Sequence, residues 1–194
     1  MTSFRKYAAF VLICSVPVAF AAAANAAEQY TIDPAHTFPR FEVSHFGFST
    51  HRGQFNTTAG KLVLDRAAKT GSIEITVQTA SVGTGDPRLE TELRSEKFFN
   101  VEKFPLMTFK SKNVKFNGDV PASADGELTL LGVTRPLTLA ITQVKCGTHP
   151  LNKKDDCGAE VTGSLKRSDF GMKTFIPMVG DEITLRIQVE AWKD

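Results

Sequence analysis

The chain has 194 residues, of which 42% are hydrophobic and 23% are charged, and its formal net charge is +2 at pH 7. These ordinary globular values exclude a collagen-like, coiled-coil or wholly disordered chain. Beyond residue 26 the chain carries 21 basic and 21 acidic residues. It therefore lacks the basic excess of a nucleic-acid-binding domain, and we expect no nucleic-acid partner.

The N-terminus has the pattern of a secretory signal. Two basic residues at positions 5–6 precede an apolar run over residues 7–20, and Ala-Asn-Ala at 24–26 has the small-x-small pattern of a cleavage site. The apolar run is short for a membrane span of about 20 residues, although an uncleaved anchor remains the alternative. We expect residues 1–26 to be a cleaved signal peptide, residues 27–194 to be the mature domain, and the protein to be periplasmic.

Alternation of apolar and polar residues predicts at least eight antiparallel strands in the mature domain. The clearest run covers residues 183–190, where period two places Ile183, Leu185 and Ile187 on one face of a sheet. Strands with one apolar and one polar face form a sandwich or a closed barrel. The residues expected to line an apolar interior are Phe41, Val43, His45, Leu64, Ile73, Ile75, Val77, Phe109, Leu128, Leu139, Val161, Leu165, Leu185 and Ile187.

One segment, residues 86–98, has a helical pattern instead. Asp86 is a favourable N-cap residue and Pro87 suits the first helical position. Leu89 and Leu93 lie four residues apart, so they share one face. We predict a helix of about ten to twelve residues that is inserted between strands and covers an end or flank of the sheet structure.

Two cysteines remain after residue 26, Cys146 and Cys157. In an exported protein such a pair favours a disulfide over two free thiols, and the glycine, proline and charged residues between them are typical of a hairpin loop. A metal site that also uses His149 is the alternative, but the spacing fits no standard zinc pattern. We expect a disulfide and no metal.

Catalytic motifs are absent from the sequence: it has no G-x-S-x-G, no P-loop, no C-x-x-C and no H-E-x-x-H. His36, His45 and His51 are close in sequence, but only His45 falls on the apolar face of a predicted strand. Metal binding, structural hydrogen bonding and contact with a ligand headgroup all remain open for these histidines.

Twelve of the 15 phenylalanines follow residue 26. Phenylalanine has no polar group and suits a dry interior, so these residues predict either a packed core or a cavity for an apolar ligand. An eight-stranded barrel has an interior just wide enough for its own side chains or for one small ligand. The periodicity does not separate these alternatives.

Four motifs, in order, resemble the YceI-like family. They are Asp33-Pro-Ala-His36-Thr37 followed by Phe41-x-Val43-x-His45-x-Gly47 and Gly53-x-Phe55; Leu93-Arg94-Ser95-x-x-Phe98-Phe99-x-Val101-x-Lys103-x-Pro105-x-x-Thr108-Phe109; Gly126-x-Leu128-Thr129-Leu130-x-Gly132-Val133-Thr134-x-Pro136-Leu137; and Arg167-x-Asp169-Phe170-Gly171-Met172. The resemblance covers essentially the whole mature chain. It implies a lipocalin-like, eight-stranded antiparallel barrel with one short helix, holding a polyisoprenoid or similar amphiphilic lipid, secreted or periplasmic and not enzymatic.

With this resemblance, we expect a periplasmic carrier of a long-chain isoprenoid lipid or quinone-like amphiphile. His45, Arg167 and Asp169 are candidates for headgroup contact at the barrel mouth, although Arg167 and Asp169 would also suit a structural ion pair. Glu90 and Glu92 stand where the family often has Asp and His, which would alter the headgroup preference. No cofactor is expected beyond the bound lipid.

Two other functions remain alternatives. A lipid-modifying enzyme would need convergent acid–base groups or a metal, and a packed-core structural or interaction protein would have no cavity and an exposed apolar patch. Gly163, on an inward face without a side chain, is expected to leave room for a ligand. Transient membrane contact is a further expectation, and the oligomeric state stays open, a homodimer included.

Overall fold

The computed structural model describes residues 27–194, so the predicted signal peptide at 1–26 lies outside the described residues. Within this range the chain forms eleven strands, one α-helix and two short 3₁₀ helices at Thr79–Ser81 and Arg167–Phe170. In chain order the elements are β1 (Glu28–Ile32), β2 (Phe38–His45), β3 (Ser49–Phe55), β4 (Thr58–Asp65), β5 (Thr70–Gln78), β6 (Val82–Gly83), α1 (Pro87–Arg94), β7 (Leu106–Asn117), β8 (Val120–Leu130), β9 (Val133–Thr148), β10 (Asp155–Lys166) and β11 (Val179–Lys193).

Eight strands close a barrel in the order β1–β4–β5–β7–β8–β9–β10–β11, with β11 returning to β1. Every neighbouring pair in this ring is antiparallel. Strands β2, β3 and β6 extend the sheet from residues 179–188 of β11, which pair with β2, whereas residues 191–193 pair with β1. The prediction of an eight-stranded antiparallel barrel with one helix is confirmed. Among residues 27–194, no helix has the length and apolar character needed to cross a bilayer.

The long strand β11 pairs with three other strands and so connects the barrel to the β2–β3–β6 extension. One edge of it pairs with β10, and the other pairs first with β2, where Ile183 faces Val43, and then with β1, where Ala191 faces Ile32. Between these partners the chain turns a corner at residues 33–37. The Asp33 amide and the Thr37 hydroxyl both donate to the Glu190 carbonyl, at 2.9 and 3.0 Å. The corner therefore stays hydrogen-bonded to β11.

A buried carboxylate organises the same corner. Asp33 accepts hydrogen bonds from the Ala35 amide at 2.9 Å and from the His36 ring at 2.7 Å. Burial alone would raise the pKa of Asp33, but these two hydrogen bonds outweigh it and hold that pKa below its ordinary value. The hydrogen bond that His36 donates to Asp33 raises the pKa of His36 in turn. His36 thus has a structural hydrogen bond in this corner.

A bulge changes which residues of β9 face the interior. Leu137, Leu139 and Ile141 alternate inward as predicted, but the inward residues after them are Val144 and Cys146. Gln143 has φ +52°, and the pairing with β10 shifts register opposite it. One extra residue in a strand reverses the alternation beyond it, and a strict period of two does not reveal that.

Helix α1 is shorter than predicted. Asp86 caps it as expected by accepting a hydrogen bond from the Arg88 amide at 2.9 Å. It ends at Arg94 because the amide and hydroxyl of Ser95 both donate to the Glu92 carbonyl, at 3.1 and 2.7 Å. The following Phe98 and Phe99 are buried in the core, and their burial diverts the chain from the helical path.

The predicted disulfide is confirmed. Cys146 and Cys157 face each other across β9 and β10 and are bonded. The bridge lies at the end of the barrel where β11 finishes, on the hairpin that joins the two strands. It closes a loop with a sequence separation of 11, which restricts the unfolded chain in this region.

Glu28 connects three parts of the sheet at the disulfide end of the barrel, and its lowered pKa predicts a pH-dependent stability. Its carboxylate accepts hydrogen bonds from Lys193 at 2.7 Å, Arg66 at 2.9 Å and Tyr30 at 2.9 Å. The bond from Lys193, followed by that from Arg66, lowers the pKa of Glu28 from 4.5 to about 2. The stabilisation is therefore complete above pH 4.5 and is lost as the pH falls toward 2.

We expect Glu28→Gln to lower the free energy of unfolding at pH 7 by about 1–2 kcal/mol. In urea titrations the difference from the unaltered protein should shrink as the pH falls below 4.5 and should disappear only below about pH 1, beneath both pKa values. Glu74→Gln is the control, because Glu74 pairs with a single exposed lysine on the barrel wall and should give no measurable change. Equal effects of the two variants would contradict this role for Glu28.

Candidate functional site

The barrel encloses a cavity of about 400 Å³. Its lining is almost entirely apolar, and its size falls within the roughly 300–1,000 Å³ typical of small-molecule sites. All fourteen residues expected to line an apolar interior line this cavity, and His45 is among them. Their contact with a ligand stays a prediction.

An aromatic cluster forms one wall of the cavity. The rings of Phe55 and Phe99 meet edge to face with centroids 5.2 Å apart, and Phe41 lies 5.8 Å from Phe55. Gly53 makes room for this cluster, because a Cβ there would lie 2.4 Å from Cζ of Phe41. A side chain at position 53 would push Phe41 into the cavity, so glycine is needed for close approach of β3 to β2.

Gly163 does not leave room for a ligand as expected. A Cβ on Gly163 would lie 2.9 Å from Cδ2 of Leu139, on the neighbouring strand, and Gly163 is not part of the cavity lining. The missing side chain is compensated by Leu139, which packs over the glycine. The sequence showed the inward direction of Gly163 but not the cross-strand neighbour that fills the space.

Arg66 lies across the disulfide end of the cavity. Its guanidinium donates to the Glu28 carboxylate at 2.9 Å and to the Asp119 carbonyl at 2.8 Å, and lies 3.7 Å from Sγ of Cys146. It therefore connects β1 to the β7–β8 turn and to the disulfide. Sequence reasoning missed Arg66, because it follows a strand in a turn and belongs to no motif.

The opposite end forms the mouth. The rings of His45 and His51 stack there with centroids 3.9 Å apart, and Phe175 also lines the cavity. Glu92 lines it as well and pairs with Lys97 at 3.0 Å. The mouth therefore combines aromatic rings with a few polar groups.

Glu90 lies away from the cavity. Its carboxylate accepts hydrogen bonds from the amides of Thr84 and Gly85, at 2.9 and 3.2 Å. The bond from the Thr84 amide is the main cause of the lowered pKa of Glu90. Of the two glutamates, only Glu92 lines the cavity.

Arg167 and Asp169, the two further mouth candidates, have different positions. Asp169 is exposed and is not part of the lining. Arg167 is buried, lines the cavity and donates to four carbonyls, those of Met172, Thr174, Val179 and Gly180, at 2.8–3.1 Å. Burial lowers the pKa of Arg167. Its guanidinium thus holds the 171–180 loop, and within residues 27–194 Arg167 and Asp169 form no ion pair.

One group of side chains in the described range could hold a metal ion. Asp33, His36 and Glu190 offer ligand atoms within 4.8 Å of one another. The His36 ring nitrogen is already hydrogen-bonded to Asp33 at 2.7 Å, and none of the three residues lines the cavity. The group belongs to the β1–β2 corner and offers nothing to the cavity.

Comparison with known proteins decides the family. Residues 30–191 match the sequence profile described as the YceI-like domain. The chain belongs to the YceI-like family. Protein YceI of Escherichia coli is 35% identical over 174 residues, which cover 88% of this chain and 90% of that protein.

Two solved structures of similar fold extend this result. BcnA of Burkholderia cenocepacia has a TM-score of 0.68 at 20% identity and covers 82% of this chain and 98% of its own. A polyisoprenoid binding domain from Saccharophagus degradans has a TM-score of 0.61 at 14% identity, covering 85% and 98%. At these identities the likeness shows that the YceI-like barrel is shared, and no more.

We expect Arg167→Lys to lower the free energy of unfolding by about 2–3 kcal/mol, because one ammonium cannot satisfy four fixed carbonyls. Urea denaturation measures this loss, and limited proteolysis should show faster cleavage in the 171–180 loop. Arg186→Lys is the matched control, since Arg186 is exposed and bonded to one carboxylate at 3.2 Å. If both variants are equally stable and equally resistant, Arg167 does not hold the loop.

Proposed function

We propose that this protein binds a long-chain isoprenoid lipid or quinone-like amphiphile in its barrel cavity and carries it through the periplasm. The observation that carries the proposal is the apolar cavity of about 400 Å³ inside a hydrogen-bonded barrel. Removal of an apolar chain from water contributes about 25 cal/mol per Å² of buried area. An almost entirely apolar lining suits the tail of such a ligand, and the few polar groups lie at the ends.

The fold neighbours and the cavity support this proposal over its alternatives. One neighbour of the same fold is a polyisoprenoid binding domain, so this barrel type accommodates such ligands. A packed-core protein would have no internal space, whereas the cavity is present here. The signal-like N-terminus and the Cys146–Cys157 disulfide both suit an oxidising compartment outside the cytoplasm.

A binding role also fits the mouth better than an enzymatic one. A hydrogen bond from a partner group that orients the ring is the common signature of a histidine general base. Within residues 27–194, neither His45 nor His51 has a side-chain hydrogen bond, and the two rings instead stack on each other at 3.9 Å. The stacked rings at the mouth offer polar ring nitrogens to a headgroup.

Filling the cavity tests the proposal. We expect Val161→Trp to occupy the space of the tail and to lower the affinity for a polyprenol or quinone by at least about tenfold, a loss of about 1.4 kcal/mol. Fluorescence titration with a quencher quinone or native mass spectrometry with added polyprenol measures the affinity.

The neighbouring Glu160→Trp is the matched control, because position 160 is exposed on the outer face of the same strand and should keep full affinity. Circular dichroism and thermal melting show whether both variants fold. A folded Val161→Trp that binds as tightly as Glu160→Trp would refute the cavity as the ligand site.

A further inference from the structure

Four large apolar side chains lie exposed together at the cavity mouth. Phe48 is 93% exposed, Met178 51%, Phe175 48% and Phe46 47%. We call these four residues the rim. Among residues 27–194, seven large apolar residues are exposed, so the majority lie in this one region. Monomeric soluble proteins rarely collect exposed apolar side chains without an interaction that uses them.

Two loops present the rim, and they are fixed to each other. The Phe46 amide donates to the Met178 carbonyl at 2.7 Å, and the Val179 amide donates to the Phe175 carbonyl at 2.8 Å. Phe46 and Phe175 have φ angles of +53° and +63°, a region that bulky residues rarely adopt. Four hydrogen bonds from the buried Arg167 hold the second loop. The rim aromatics are thus held outward by a rigid base.

The two segments that carry the rim have basic side chains only, and the one acidic group that the mouth contributes, Glu92, is paired with Lys97 at 3.0 Å. The segments 44–53 and 171–180 contain His45, His51, Arg52 and Lys173 and no acidic residue. On the adjacent outer face Arg52 and Arg186 share a single carboxylate, Glu42, at 2.9 and 3.2 Å. An excess of positive charge therefore surrounds exposed aromatic side chains. Aromatic side chains with flanking basic groups match the interface of an anionic bilayer.

The rim is also continuous with the cavity. Phe175, His45 and His51 line the cavity at its mouth, and Phe46 packs edge to face on His45 with ring centroids 4.4 Å apart. A long-chain lipid that leaves a membrane for this cavity would pass the rim first. Contact between the rim and the bilayer would let the lipid tail enter the cavity without being exposed to water. Exposure of the tail to water would cost the full hydrophobic transfer free energy.

We propose that the rim docks on the surface of an anionic lipid bilayer and aligns the cavity mouth with it. This inference rests on the proposed function, since it assigns the surface from which the lipid enters. Phe48, the most exposed of the four, inserts between lipid headgroups. Lys173 and Arg52 contact phosphate groups of the lipids.

Vesicle binding tests the rim with a matched pair of variants. The full mature protein is mixed with vesicles of phosphatidylglycerol and phosphatidylethanolamine, and the bound fraction is measured by flotation. We expect Phe48→Ser to weaken vesicle binding about tenfold. A phenylalanine side chain that is largely buried in the bilayer contributes enough binding free energy for a change of that size. Leu151→Ser removes a side chain that is 85% exposed at the disulfide end and should bind like the unaltered protein.

The outcomes separate the rim from the cavity. Phe48→Ser should keep its melting temperature and its affinity for the soluble apolar probe N-phenylnaphthylamine, because position 48 is outside the cavity lining. Equal vesicle binding by Phe48→Ser and the unaltered protein overturns the proposal. The proposal is also overturned if the unaltered protein does not bind vesicles but forms a dimer, and Phe48→Ser dissociates that dimer. In that case the rim is the contact surface between two copies of the chain. Rim-dependent vesicle binding without probe binding would retain the rim and refute the proposed function.

Discussion

The alternation of side chains along β11 is the constraint on which the rest of the structure depends. This strand pairs with β10 on one edge and with β2 and β1 on the other. A residue that faces inward on β11 therefore fixes the inward residues of three neighbours. Ile183, Leu185 and Ile187 face the interior. The residues paired with them on the neighbouring strands therefore face the interior as well. Closure of the ring through β1 then leaves no free edge in the barrel and encloses an apolar space.

The two ends of that space are built differently. At the disulfide end, Arg66 and Glu28 form hydrogen bonds across several strands, and the Cys146–Cys157 bridge holds the hairpin. At the mouth, the buried cation Arg167 donates all four of its hydrogen bonds to backbone carbonyls of one loop. A buried charge is costly unless fully hydrogen-bonded, so its placement there shows how strongly that loop is fixed.

Much of the barrel could be predicted from the sequence because burial of one face leaves a period of two. This period placed all fourteen predicted residues on the inner wall, and the helix start followed from Asp86 and Pro87. Features that depend on a neighbouring strand could not be predicted in this way. The bulge at Gln143, the packing of Leu139 over Gly163 and the early end of α1 all arise from contacts between distant segments.

The mouth was the least predictable part, for a related reason. Phenylalanine indicates burial in a core or cavity wall, yet Phe46 and Phe48 are exposed and lie outside the cavity lining. Phe175 does line the cavity, but about half of it is exposed. Only the positions of the two loops relative to the cavity show that these residues surround an opening. Arg167 belonged to a recognisable motif, but its four carbonyl partners are separated from it in sequence and became evident only in the fold.

Native mass spectrometry of the protein, purified from its host without detergent, tests the central claim most directly. We expect one stoichiometric adduct per chain whose mass, after solvent extraction, is that of an isoprenoid lipid or quinone. An empty protein that takes up added polyprenol or quinone, with a rise in melting temperature as linkage requires, would equally be a carrier. A protein that carries no lipid and shows neither uptake nor a thermal shift would contradict the account.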